Sequence, residues 1–188
     1  VAETVVETER LILRRWRDSD LGEWLQHLNT PEVRAHLGGI DTPEKVAEKF
    51  ARLKARWDEK GFSFLAVERR ENGKFLGACG LGQIETECAP DELRGSVEIG
   101  WQFRADSWGQ GYASEAAQAM LRLGFERFGL PVIYSQTSEN NRGSWGLMER
   151  LGMERLAHLD YEDPAYPAAE NPTKVYGLQR AAWQAVNA

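Results

Sequence analysis

Apolar positions along this chain switch repeatedly between a spacing of two and a spacing of three to four. Residues 10–16 alternate around Leu11 and Leu13 and predict a first strand, with residues 1–7 before it as a loose terminus. Asp18-Ser19-Asp20 offers cap oxygens and early negative charge to a helix whose apolar face is Leu21, Trp24, Leu25 and Leu28. Asn29-Thr30-Pro31 breaks that helix, and Pro31 predicts the first turn of a short one that runs to Leu37 and ends at Gly38-Gly39. Thr42-Pro43-Glu44 starts the next helix, Val46, Phe50, Leu53 and Trp57 form its stripe, and Gly61 closes it. Residues 62–69 and 74–84 read as strands joined at Glu71-Asn72-Gly73, a hairpin turn, and the acids and Pro90 of residues 85–94 read as a loop.

The stretch 96–120 organises the chain. Val97, Ile99, Trp101 and Phe103 alternate with Glu98, Gly100, Gln102 and Arg104, which predicts a strand. Trp108-Gly109-Gln110-Gly111-Tyr112-Ala113 follows, and then Ala113, Ala117, Met120, Gly124 and Phe128 mark one helix face. A strand that passes through a Gly-x-Gly turn into a helix start forms an anion cradle. Glycines allow close backbone approach, and the first helical N–H groups, at the positive end of the dipole, have no partners of their own. Beyond it, Phe128-Gly129-Leu130-Pro131 stops the helix, and residues 132–136 form a short β-rich run. Asn140-Asn141-Arg142-Gly143 leads into a last helix ended by Gly152. Residues 153–161 and 173–179 predict closing strands around a Pro-bearing loop, 164–172. Strands outnumber helices and are partly hairpin-joined, so the expected fold is a mixed α/β or α+β layer arrangement in one domain, 1–188.

Gly109-x-Gly111 alone is a weak signal, since a tight turn before a helix looks the same. There is no G-x-x-x-x-G-K-[ST], so a P-loop is unsupported. Ser114 stands where a dinucleotide fingerprint needs Gly or Ala. The segment from Trp108 to Ala113, however, resembles the acyl-CoA signature of the GNAT acetyltransferase superfamily, Q/R-x-x-G-x-G/A. Trp108 in place of Gln or Arg is similar to the RimJ/RimL-type branch. Thr8-Glu9-Arg10-Leu11-Ile12-Leu13-Arg14, the run from Ser144 to Met153, and Asp160-Tyr161-Glu162-Asp163-Pro164 resemble that branch's opening strand, last helix and C-terminal segment.

The resemblance implies a GNAT-like mixed, mostly antiparallel sheet of about seven strands flanked by helices. It also implies transfer of an acetyl group from acetyl-CoA to a primary amine, on a small molecule or a protein N-terminus, by direct attack in a ternary complex. Trp101, Gln102, Phe103, Trp108, Gly109, Gln110, Gly111, Tyr112, Ala113, Ser114, Asn141 and Ser144 are the expected acetyl-CoA contacts. Trp108 reads as packing, and Tyr112 matters through its backbone N–H more than its ring. Asn141 is implied to bond the pantetheine arm, though it also suits a turn. The resemblance implies that residues near Trp24, His36 and Leu37 touch the acceptor, while the Val46, Phe50, Leu53 and Trp57 stripe reads as core.

Acyl transfer to an amine needs a base for the ammonium and an acid for the leaving thiolate. Glu98, on the strand before the cradle, is the base candidate; an exposed strand Glu in a cross-strand pair is the plain alternative. Many relatives place a Tyr seven residues after an Asn, but Asn141 plus seven is Met148. Ser144 is the remaining hydroxyl and the acid candidate; it equally suits a helix cap. Met148 keeps alive the alternative of an acyl-CoA-binding regulatory module without turnover.

Composition narrows the setting. Hydrophobic residues are 42% and charged residues 28%, as in globular proteins, and no apolar run approaches the ~20 residues of a spanning helix. An acidic, polar start is unlike a signal peptide, so the expected location is cytoplasmic, with no membrane partner. A net charge of −6 argues against direct nucleic acid binding. His27, His36 and His158 lie far apart, so no metal is expected, and Cys79 and Cys88 are expected to be reduced. Glu85, Glu87, Asp91 and Glu92, then Asp160, Glu162 and Asp163, form acidic loops that the resemblance places toward the acceptor, where they would attract a protonated amine. The oligomeric state stays open, a homodimer included.

Overall fold

The structure is a computed structural model and describes residues 2–187. Its strands are β1 (Thr4–Glu7), β2 (Leu11–Arg14), β3 (Phe64–Arg69), β4 (Phe75–Gln83), β5 (Val97–Phe103), β6 (Val132–Ser138), β7 (Glu154–Arg155) and β8 (Thr173–Gln179). The helices are α1 (Asp20–His27), α2 (Pro43–Lys60), α3 (Tyr112–Arg122), α4 (Arg142–Arg150) and α5 (Arg180–Asn187). The strands form one sheet in the order β1-β2-β3-β4-β5-β6-β8-β7. Of the pairs with a described register, β5 with β6 is parallel and the rest are antiparallel. This is the mixed, mostly antiparallel sheet expected, with eight strands against about seven.

Two compact units can be distinguished. One runs from the N-terminal end to Gly80 and includes Trp101–Ala119; the other holds Leu81–Gly100 and everything from Met120 on. In the first unit, Trp16, Trp24, Leu28, Val46, Phe50, Ala66, Phe75 and Ala78 form the core. Trp16 meets Trp24 at 5.3 Å and Phe50 at 5.4 Å between ring centroids. Trp24, implied to approach the acceptor, is therefore a core residue. α2 follows its sequence signals: Thr42 accepts from the N–H of Lys45, Pro43 opens the helix, and Gly61 closes it at φ 77°. In the second unit Ile84, Ala89, Leu93, Tyr134, Leu159 and Val175 form a cluster, with Leu156 and Tyr161 packed against it.

Several expectations need correction. The loose N-terminus is β1, paired with β2 from Thr4↔Arg14 to Glu7↔Ile12; Val1 lies outside the described residues. The Thr8 side chain and backbone both bond across to Leu11, which closes that hairpin. Residues 31–38 are consecutive turns and not a helix. There the Arg34 guanidinium donates to the carbonyls of Leu37 and Gly39 and pairs with Asp41. Ser19 caps nothing with its side chain, and Asp20 is buried against Arg14. Arg14 also binds Glu68 at 2.7 Å, so one guanidinium holds two carboxylates. α3 widens after Arg122 into a π-helical turn over Leu123–Arg127, closed by Phe128 N–H on Leu123 O at 3.2 Å. The predicted strand 153–161 is only Glu154–Arg155, followed by a 3₁₀ turn and one bridge, Tyr161↔Thr173. Residues 180–187, for which no element is expected, are helical.

Candidate active site

The glycine turn belongs to the first unit. Gly109 and Gly111 sit at φ 73° and 80°, the left-handed region that side chains other than glycine rarely adopt. A Cβ on Gly109 would meet nothing within 4 Å, so the space above it is open, whereas one on Gly111 would stand 3.3 Å from Arg10 Nη2. Among the described residues, no acceptor is found for the backbone N–H groups of Gly109, Gln110, Gly111, Tyr112, Ala113 and Ser114. That row of donors at the start of α3 fits an anion.

Arg10 braces the turn. Its Nη1 donates to Gln110 O at 2.8 Å, its Nε donates to Glu115 Oε2 at 2.7 Å, and its guanidinium lies 4.6 Å over the Tyr112 ring. Glu115, in the first turn of α3, also accepts from the Thr8 hydroxyl at 2.6 Å and the Arg10 N–H at 2.9 Å. Burial pushes the Glu115 carboxyl up, but these bonds and the Arg10 charge outweigh it and hold the group below its ordinary value. A carboxylate at a helix start would repel a phosphate; here Arg10 neutralises it.

The other expected contacts of this unit behave unevenly. Trp108, expected to pack, is 52% exposed, because its Nε1 donates to Phe103 O at 2.9 Å and this bond holds the indole out of the core. Tyr112 and Phe103 are buried, and Trp101 is half-buried. Gln102 Nε2 is buried and finds no hydrogen-bond partner among the described residues, an orphan donor on the strand that leads to the turn.

Glu98, Asn141 and Ser144 belong to the second unit. β5 and β6 are registered at one position, Glu98↔Tyr134, and the Ser135 hydroxyl donates to Ile99 O at 2.9 Å beside it. The Glu98 carboxylate accepts from Gln136 Nε2 at 2.6 Å, and the Tyr161 hydroxyl donates to Gln136 Oε1 at 2.6 Å. Desolvation pushes the Glu98 carboxyl up, and the bond from Gln136 pulls it back only in part. Burial and then the nearby Glu98 charge push the Tyr161 phenol up as well. Glu98 is thus a half-buried carboxylate with a neutral hydrogen-bond donor for a neighbour. The plain alternative, a cross-strand pair, is present as well: Gln136 stands two residues beyond Tyr134, the registered partner of Glu98 on β6.

Asn141 caps α4: its Oδ1 accepts the Ser144 N–H at 3.4 Å and its Nδ2 donates to Thr137 Oγ1 at 2.9 Å. Ser144 is therefore the capped residue and not the cap, and it is half-buried. Met148 is buried. Of the acids expected to draw a cation, Asp91 is paired with Arg94, and Asp160 with Arg155. Glu92 accepts from the Tyr134 hydroxyl at 3.2 Å, and Asp163 Oδ1 accepts the Ala165 N–H at 2.9 Å. The charges of Asp91 and Asp160 are thus met by cations, while Glu92 and Asp163 keep theirs with neutral donors for partners. Cys79 is buried, Cys88 is exposed, and both are free. Among the described residues no group of three His, Cys, Asp or Glu side chains could hold a metal ion, and no helix is long and apolar enough to cross a membrane.

Sequence reasoning missed Arg10, Glu115, Gln136 and Tyr161 as members of these two arrangements. Only the Thr8-Glu9-Arg10 and Asp160-Tyr161 segments, noted for their resemblance, drew attention to two of them.

The chain was compared with known proteins. A family model described as "Acetyltransferase (GNAT) domain" matches residues 10–154. The Bacillus subtilis (strain 168) protein named "Uncharacterized N-acetyltransferase YnaD" is 43% identical over 151 residues, which cover 80% of this chain and 82% of that one. The crystal structure of an acetyltransferase from Agrobacterium tumefaciens superposes with a TM-score of 0.76 at 26% identity, covering 95% of this chain and 96% of the other. Spermidine N-acetyltransferase from Vibrio cholerae, solved with CoA and spermine, superposes with a TM-score of 0.73 at 17% identity, covering 94% and 99%.

Proposed function

Because the chain belongs to the GNAT acetyltransferase family and is an acetyl-CoA-dependent acetyltransferase, we propose that it acetylates a primary amine, with Glu98 as base and Ser144 as acid. The observation that carries the acetyl-CoA assignment is the row of six unpaired N–H groups from Gly109 to Ser114 over two left-handed glycines. The fit is good: the donors suit a diphosphate, Arg10 cancels the one carboxylate beside them, and the Gln102 amide lacks a partner. Gly109 to Ser114 would hold the diphosphate. The backbone of Trp101 to Phe103, with the Gln102 amide, would line the pantetheine arm as an added strand. In the second unit, Asn141 keeps a second lone pair and a second N–H, and the resemblance implies a pantetheine contact for it.

Acetyl-CoA supplies an acetyl group activated as a thioester. Glu98 removes a proton from the acceptor ammonium, directly or through water, and leaves the nitrogen lone pair free to attack. Its setting suits the task, since desolvation brings a carboxyl toward the pKa of an effective base. As the C–S bond breaks, Ser144 gives its hydroxyl proton to the departing sulfur and regains one, directly or through water, from the nitrogen that has formed the amide bond. The acceptor class is a primary amine, on a small molecule or a protein N-terminus. Support comes from the RimJ/RimL-like motifs and from a neighbour in fold that is a spermidine N-acetyltransferase. A cytoplasmic setting and contact with neither membrane nor nucleic acid belong to the same proposal.

A thiol-release assay with acetyl-CoA and a panel of peptide N-termini, polyamines and aminoglycosides tests it. The expected result is CoA release that depends on a primary amine. CoA binding without release on any amine would make the chain an acyl-CoA-binding module, and no CoA binding would remove the cradle assignment.

A further inference from the structure

Gln136 and Tyr161 belong neither to the glycine turn nor to the acid–base pair. They form a row with Glu98: the Tyr161 hydroxyl donates to Gln136 Oε1 at 2.6 Å, and Gln136 Nε2 donates to Glu98 Oε2 at 2.6 Å. The Thr86 hydroxyl stands beside the phenol. An amide has two unlike ends. An ionised carboxylate only accepts, so it must face the NH₂ end; the amide oxygen then faces the phenol, whose O–H must donate. The orientation of every group in the row follows from the charge on Glu98.

The surroundings leave little else to hold it. The Ile84, Ala89, Leu93, Tyr134, Leu159 and Val175 cluster packs against Tyr161. Asp163 and Cys88 face the phenol, Glu92 is engaged by Tyr134, and Asp160 is tied to Arg155. None of these is a cation facing Glu98.

We propose that Gln136 and Tyr161 are positioning residues for Glu98: the phenol holds the Gln136 amide so that its N–H stays on the carboxylate and aims it as an acceptor. This rests on the reading of Glu98 as the base. When Glu98 takes the acceptor's proton, an N–H bond of the ammonium breaks, an O–H bond forms on Glu98, and the electron pair remains on nitrogen. Glu98 is then a donor, and the row can reverse. The amide turns, Glu98 donates to Oε1, Nε2 donates to the Tyr161 oxygen, and the phenol donates to the Thr86 oxygen. Each polar group keeps a partner in both arrangements, so the carboxyl can hold the proton without orphaning a buried group. The proton then passes to solvent.

The test is the pH dependence of kcat/KM in wild type, Tyr161→Phe, Gln136→Leu and Glu98→Gln, with one accepted amine so that the acceptor's own ionisation is common to all. Loss of the donor should move the acid limb up by roughly one pH unit in Gln136→Leu, and by about half as much in Tyr161→Phe, whose amide is free to turn. The rate deficit of Tyr161→Phe should shrink as pH rises through the limb, which a general loss of structure would not allow. Carbon-13 NMR titration of the Glu98 carboxyl, assigned by its loss in Glu98→Gln, should show the same displacement with no acceptor present. A limb and a carboxyl titration that stay in place in both variants overturn the inference and leave Glu98 as base. A rate lowered equally at every pH in Tyr161→Phe gives Tyr161 a structural role only and also overturns it. A wild-type rate in Glu98→Gln removes the base reading itself.

Discussion

Glu115 and Glu98 are both partly shielded glutamates with short hydrogen bonds, yet their surroundings push them in opposite directions. Glu115 has a guanidinium, a hydroxyl and a backbone N–H on its two oxygens, and these outweigh burial. Glu98 has one amide, and burial outweighs it. Arg14, which pairs with both Asp20 and Glu68, is a second guanidinium–carboxylate arrangement in the same unit as Glu115. A carboxylate that a cation satisfies is committed to holding structure. One that is desolvated and left with a neutral donor remains able to take up a proton. On the proposed reading, the glycine turn and its brace serve binding and the Glu98 row serves proton transfer.

The largest effect expected from this contrast is on turnover. Glu98→Gln should lower kcat by ~10²-fold or more, read as thiol release at saturating acetyl-CoA; a rate within a factor of two of wild type would put proton removal on solvent. Next is Gly111→Val, which forces a branched side chain into the left-handed region at 80° and toward Arg10. CoA affinity by calorimetry should fall about tenfold or more, and an unchanged affinity would break the cradle assignment.

Stability gives a smaller and signed effect. Glu115 sits below its ordinary value, so its contribution is present above the unfolded-state pKa and is lost as pH falls through the folded one. Glu98 sits above its ordinary value, so the fold is penalised as pH rises from the unfolded-state pKa to the folded one, and the penalty persists beyond it. At pH 7 Glu115→Gln should therefore lower the thermal midpoint, and Glu98→Gln should raise it, each by a few degrees for roughly 1 kcal/mol. Near pH 3.5 both differences should shrink; equal signs for the two variants would dissolve the contrast. The smallest expected effect is that of salt on the acceptor's KM. With Asp91 and Asp160 already paired to Arg94 and Arg155, it should stay under about threefold between low and moderate salt.

Elements with local signals were legible in the sequence. α2 announced both ends through Thr42-Pro43 and Gly61, and the β3–β4 turn through Asn72-Gly73, because caps and tight turns are decided by the residues within them. Gly109 and Gly111 were legible for the same reason. Arg10 was not, since its partner Glu115 lies 105 positions away, and Gln136 reaches Glu98 across 38. Residues 31–38 carried a helix-start Pro, yet they form turns in which the buried Arg34 bonds the carbonyls of Leu37 and Gly39 and the Asp41 carboxylate, partners no local pattern announces. Trp108 read as packing because indole is large and apolar; one bond from its N–H to Phe103 O keeps it outside.

The most direct test of the division between binding and proton transfer is calorimetric titration of CoA into two variants, Glu98→Gln and Glu115→Gln. Removing the Glu115 charge loosens the brace on Gln110 and the start of α3, so CoA should bind that variant about fivefold to tenfold more weakly than wild type. Glu98→Gln should bind CoA as wild type does. Equal losses in both variants, or a loss in Glu98→Gln alone, would contradict the account.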